Sequence, residues 1–378
     1  MQTLQGRHYA TAEPITVTWD AERISGVQRD DPAPDLPWIA PALWDLQVNG
    51  YRGRDLSEGE HLAHIAEDLS RAGIARFFPT VITGSPEDMT RRLGVLRAAI
   101  ASSPQLSRSV PGLHLEGPYL SAQDGPRGAH PLAHIRPPSW EHFRRLQEAA
   151  GGRIRILTLA PEWPDAPRFI ERVVASGVMV SIGHTAADTH AIADAVTAGA
   201  RLSTHLGNGL AMTIDRHRNP LWPQLADDRL VATFIADGEH LPPEMLRAMM
   251  SAKGRERCVF VSDSVAQAGL PPGSYTGVGG QQVEVLPSGR VQIPGTPMLA
   301  GSGKNLLQCV VQASQSGVCP LDAALDMASV HPAAILGTDL GLHQGAVADL
   351  IAFRVEPGGT IRVKATVRGG EWLFRSRT

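Results

Sequence analysis

Cysteine is scarce. The 378 residues hold three, Cys258, Cys309 and Cys319, and none forms a C-x-x-C pair. Sparse, odd-numbered cysteines argue against a disulfide scaffold and fit a cytoplasmic setting. An excess of charge of either sign is also missing: 35 Lys and Arg face 38 Asp and Glu, a net of −3. That argues against the basic surface of a nucleic-acid binder and a polybasic membrane patch. No apolar run approaches the ~18–20 residues that span a bilayer. The opening MQTLQGRHYATAEP has neither a basic stretch nor an apolar core, so no secretory signal is expected. Internal repeats and long linkers are absent as well.

What is present is an ordinary globular composition, 43% hydrophobic and 19% charged, able to bury a large core. Eight apolar runs recur at residues 38–48, 74–82, 110–120, 153–162, 178–185, 201–208, 230–238 and 257–264. Between them lie amphipathic stretches such as EHLAHIAEDLSRAG and PEDMTRRLGVLRAAIA. Continuous rather than alternating apolar strands indicate burial on both faces, as in a parallel sheet. Eight strand–helix alternations predict an α/β fold of the (β/α)8, TIM-like barrel type. The flanks differ: PITVTW, ADLIAFRV, TIRVKATV and EWLFRS alternate without helices between them. We therefore expect a barrel over 43–338 and a small β-sandwich domain made from both termini, 1–42 with 339–378. The stretch SYTGVGGQQVEVLPSGRVQI reads as a hairpin insertion after the eighth strand.

Polar residues fall at the strand ends, where barrel active sites form. The third run carries Glu116, the fifth His184, the sixth His205 and the eighth Asp263. Two imidazoles and one carboxylate with an open position form the ligand set of a catalytic metal. One divalent ion per chain is expected, with zinc favoured and ferrous iron also suited. Such an ion makes water acidic enough to attack at neutral pH, and Asp263 then has a role as general acid–base. His114 has no such partners and reads as structural. Barrels that hold two metals often carry His-x-His on the first strand; here Gln47-Val48-Asn49 stands there, and neutral amides are poor ligands.

Taken together, LWDLQVNGYRG, GLHLEGPYLS, RGAH, SIGHTAA, STHLGNGLAM, RHRNP, FIADGEH, VSDSVAQAG and MLAGSGKNL run in one order from about 43 to 306. They resemble the N-acetylglucosamine-6-phosphate deacetylase family of the amidohydrolase superfamily. The resemblance implies hydrolysis of the acetamido group of an amino-sugar phosphate. It makes Glu116, His184 and His205 the metal ligands and Asp263 the acid–base. It places Ala129 and His130 toward the sugar or its carbonyl, and Asn208 and Gly209 on substrate. Arg218 and His240 fall on the phosphate positions, and Met298, Leu299 and Ala300 on a loop closing over the sugar. The family arginine reaches in from a neighbouring subunit, which implies a homodimer. Gly207 stands where the family carries an aromatic that walls the sugar. That departure keeps a second substrate class open, another N-acyl amino sugar such as the galactosamine epimer or an unphosphorylated sugar. A third reading is a barrel that binds sugar phosphate without catalysis.

Overall fold

The computed structural model describes residues 1–277, 280, 282–296 and 298–376. Eight parallel strands follow one another around a sheet: Leu43–Val48, Ile74–Ile82, Leu113–Glu116, Ile154–Leu159, Met179–Ile182, Leu202–Ser203, Val231–Ile235 and Cys258–Val261. Chain order equals spatial order, as the alternating pattern requires. The first and eighth strands meet at their C-terminal ends, where Val48 bridges Ser264 and the Asp263 amide donates to the Gln47 carbonyl at 3.0 Å. Leu46, Phe78, Ile156, Leu202, Ile235, Val259 and Val261 form one of the buried clusters along these strands. Helices such as Leu62–Arg71, Pro86–Ala101 and Ala166–Ala175 bury one apolar stripe each against the strands' outer faces.

The first apolar run divides. Trp38–Pro41 joins the sheet of the termini and Leu43–Val48 begins the barrel. An uninterrupted apolar run gives no sign of where one sheet hands over to the other. The switch comes at Ala42, whose amide donates to the carbonyl of Asp349. The terminal sheet has seven strands, ordered Glu371–Arg375, Ile361–Arg368, Leu350–Val355, Trp38–Pro41, Gln2–His8, Pro14–Asp20 and Arg23–Arg29. It covers its own apolar cluster of Ile15, Val17, Trp19, Ile24, Ile39, Leu350 and Val367. The insertion is a three-stranded antiparallel sheet, Gly273–Thr276, Gln282–Val285 and Val291–Gln292. Residues 278, 279 and 281 of that stretch lie outside the described ones. Among the described residues no helix is long and apolar enough to cross a membrane.

One carboxylate fastens the two sheets. Asp349, wholly buried, accepts from Arg76 Nε at 2.7 Å and Nη2 at 3.3 Å, from the Trp44 indole at 3.0 Å and from the Gly369 amide at 2.6 Å. The Arg76 guanidinium also lies 4.9 Å from the centre of the Trp44 ring. Removing one partner of a buried pair strands the other charge, at about 3–5 kcal/mol. Asp349→Ala should therefore lower stability by about that amount, read as a lower urea midpoint, with Asp349→Asn falling between the two.

Candidate metal centre

Glu116 ends the third barrel strand, and His184, His205 and Asp263 lie two residues beyond the fifth, sixth and eighth. The barrel brings them to one mouth. Glu116, 3% exposed, offers Oε1 at 3.2 Å from His184 Nε2 and 3.1 Å from His205 Nε2, and the two Nε2 atoms are 3.1 Å apart. Ligands about 2.0–2.2 Å from a tetrahedral ion stand about 3.3–3.5 Å from one another, so the triangle has the size of a metal site. Protonation supports the same reading. His184 Nδ1 sits 2.9 Å from the Pro126 carbonyl, which can only accept, so Nδ1 carries the hydrogen. Nε2 is then the atom that His184 turns toward Glu116 Oε1 and His205 Nε2, the place of a metal ligand.

Charge in this pocket is strongly shifted. Burial pushes the Glu116 carboxyl up, but the imidazoles of His184 and His205 outweigh it and hold it well below the usual range. Burial, and after it the Glu116 charge, push Asp263 up to about 6. Burial and the His184 charge push His130 down to about 3, so it is a neutral imidazole. Its ring packs edge-on to His184 at 4.5 Å, and one donor atom each from Glu116, His130 and His184 lie within 4.8 Å of one another. His130 thus belongs to the metal cluster's rim, closer to the ligands than its loop position suggested.

His184, His205 and Asp263 adopt φ of +51°, +31° and +49°, left-handed values that non-glycine residues rarely take. Each costs of order 1–3 kcal/mol and persists only where neighbours enforce it. The His205 amide donates to Thr233 Oγ1 at 2.7 Å, and the His184 carbonyl accepts from the Ser121 amide at 3.0 Å. Glu162 accepts from Thr185 Oγ1 at 2.5 Å and the Ala186 amide at 3.1 Å, clamping the chain just after His184.

Sequence reasoning did not single out Glu162 or Thr233 for the site, and treated Gln47 and Asn49 only as missing ligands. Gln47 Nε2 lies 3.2 Å from Glu116 Oε1 and 3.1 Å from Asp263 Oδ1, and Asn49 Nδ2 lies 2.8 Å from that same Oδ1. The available signal was polarity at every second residue, Asp45, Gln47 and Asn49, in an otherwise apolar strand. His114 has both ring nitrogens engaged, by the Leu46 carbonyl at 3.2 Å and Thr158 Oγ1 at 2.7 Å, as a structural histidine should.

The remaining residues lie around the mouth. Asn208 Nδ2 donates to the His205 carbonyl at 3.2 Å, and Gly209 packs so tightly on His184 that a Cβ there would sit 2.9 Å from Nδ1. Ala129 is exposed beside buried His130. His240 is held by Asp237, Nδ1 to Oδ2, at 2.8 Å. Met298 is half exposed, and Leu299 and Ala300 pair back onto the insertion sheet at Gln292 and Val291. Arg218 is not brought to the cluster of its own chain; it lies exposed on a loop with Met212 and Ile214, just before half-exposed Trp222. Gly207 takes a left-handed backbone. Its φ is +98°, and a Cβ would stand 2.9 Å from Leu241 Cδ2 and 3.2 Å from Met249 Cε. The left-handed φ favours glycine here, while the atoms a Cβ would meet are the mobile tips of Leu241 and Met249.

Residues 38–373 match the Amidohydrolase family. The chain is 34% identical over 381 residues to N-acetylglucosamine-6-phosphate deacetylase from Homo sapiens, covering 96% of this chain and 89% of that one. It is 32% identical over 316 residues to N-acetylgalactosamine-6-phosphate deacetylase from Escherichia coli, covering 81% and 80%. The crystal structure of N-acetyl-D-glucosamine-6-phosphate deacetylase from Mycobacterium smegmatis superposes with a TM-score of 0.88 at 28% identity, over 99% of this chain and all of that one.

Elemental analysis should find one divalent ion per chain, because both first-strand amides already direct N–H at carboxylates. His184→Asn should lower ion content and activity together; two tightly held ions in the unaltered protein would contradict the single-site geometry.

Proposed function

We propose, on the premise that this chain belongs to the amidohydrolase family, that it removes the acetyl group from N-acetylglucosamine 6-phosphate, giving glucosamine 6-phosphate and acetate. One observation carries this: a buried carboxylate–imidazole–imidazole triangle beside Asp263, in a chain 34% identical to a deacetylase of that sugar phosphate.

Glu116, His184 and His205 would hold one divalent ion, zinc or ferrous iron, which when bound supplies Lewis acidity toward water and the acetyl carbonyl. Asp263 takes the proton from the attacking water and returns it to the sugar nitrogen, without which the amine is a very poor leaving group. A carboxyl pushed up to about 6 can both accept and donate near neutrality. His130, kept neutral by burial, faces the acetyl carbonyl and stabilises its developing negative charge. Ala129, Asn208, Gly209 and the loop of Met298, Leu299 and Ala300 border the sugar. His240 and the Arg218 of a second copy hold the phosphate, the guanidinium through a planar fork suited to it.

An exposed loop bearing Met212, 96% exposed, and Ile214, leading into Trp222, 49% exposed, supports a homodimer with that loop at the interface. The partition into 1–42 with 339–378 and 43–338 suits the two separate sheets. Three free, buried cysteines suit the cytoplasm.

A second substrate has one specific observation in its favour, the 32% identity to a deacetylase of the galactosamine epimer. Acetate release from both epimers, with and without the 6-phosphate, decides between them. Asp263→Asn should retain the ion while turnover falls about 10²–10⁴-fold, the usual reach of general acid–base catalysis. Arg218→Ala should raise KM for the phosphorylated sugar about tenfold or more, because a charge-assisted hydrogen bond is worth about 1.5–3 kcal/mol, and leave the unphosphorylated sugar unchanged. Equal KM values for the two sugars in the unaltered protein would show that phosphate is not selected.

A further inference from the structure

Asp263 is held by one oxygen only. Oδ1 accepts from Asn49 Nδ2 at 2.8 Å and from Gln47 Nε2 at 3.1 Å, while among the described residues no hydrogen bond reaches Oδ2. We propose that Gln47 and Asn49 are positioning residues that orient the Asp263 carboxylate and reserve Oδ2 for proton transfer. The proposal rests on Asp263 being the acid–base.

A carboxylate free to rotate about its terminal torsion exchanges its two oxygens. Two donors on one oxygen stop that exchange, and fix both the plane of the group and the oxygen that reaches the reacting atoms. The donors must be amides. The Gln47 nitrogen has two hydrogens and lies 3.2 Å from Glu116 Oε1 as well, so one neutral group bridges the two acids. Reversing either amide would set its oxygen against a carboxylate oxygen, acceptor against acceptor.

The backbone enforces the same register. Asp45 Oδ1 accepts from the amides of Gln47 at 3.3 Å and Ser262 at 3.1 Å, and the Asp263 amide donates to the Gln47 carbonyl at 3.0 Å. Asp45, Gln47 and Asn49, every second residue of the first-strand segment, thus each grip the segment that carries Asp263. A strand end without imidazole ligands serves here as a jig for the proton carrier.

The test is an isosteric exchange. Asn49→Asp keeps the shape and replaces the donor by a charge of the same sign as Asp263. It should lower kcat about 10- to 100-fold, the scale of one charge-assisted hydrogen bond, with KM within about twofold and one ion still bound. Asn49→Ala, which removes the donor without adding charge, should lower kcat in the same direction and keep the ion, so a folding failure of the first variant does not decide the matter. Kinetics, ion content and melting temperature are measured on the same preparations, beside Asp263→Asn. Normal kcat in both Asn49 variants, with Asp263→Asn inactive, would overturn the positioning role alone. Normal turnover in Asp263→Asn would overturn the acid–base reading itself. Loss of the ion from Asn49→Ala would put Asn49 in the ion's own shell and also overturn the inference.

Discussion

A single oxygen, Oε1 of Glu116, organises this protein. Nitrogens of His184, His205 and Gln47 all stand within 3.2 Å of it, and all four side chains are buried. A buried carboxylate is costly unless its charge is matched on nearly every side. Those groups come from three other strand ends, and a closed ring of parallel strands presents four ends around one point. The left-handed turns at His184 and His205 follow from the same demand: each chain must bend sharply past its strand to aim a ring inward. The Glu162 clamp and the Thr233 hydroxyl then keep those bends in place.

The ring is steadied from outside. Asp349 stands just before the terminal-sheet strand Leu350–Val355, yet its oxygens receive Trp44 from the first barrel strand and Arg76 from the second. The first strand also carries Gln47 and Asn49 three and five residues further on. A fully paired carboxylate at the junction of the sheets therefore fixes the strand whose far end touches both acids of the site. Its strength comes from being buried and fourfold satisfied, since the same pair on the surface would be worth little.

Chemistry and selectivity occupy different parts of the fold. The triangle and Asp263 sit at strand ends, the triangle buried and Asp263 held by two amides. The groups proposed for sugar and phosphate sit on loops, and Arg218 lies exposed on one of them. Loops carried on a rigid scaffold change without disturbing the core.

The order of apolar runs and the polar residues closing them were legible in the sequence, because strand period and strand-end position are local properties. From them came the barrel, the terminal strands, and Glu116, His184, His205 and Asp263 as one set. Local pattern could not divide 38–48 between two sheets, since both halves are equally apolar. Nor could it assign Gln47 and Asn49 their partners, which lie 69 and more than 200 residues away. Gly207 reads in the sequence as a lost aromatic, and its left-handed φ of +98° is visible only in the fold. Residue type and spacing determined which chemistry this chain can hold. The closing of the barrel decided which atoms face each other, because a hydrogen bond depends on ångströms in space and not on distance along the chain.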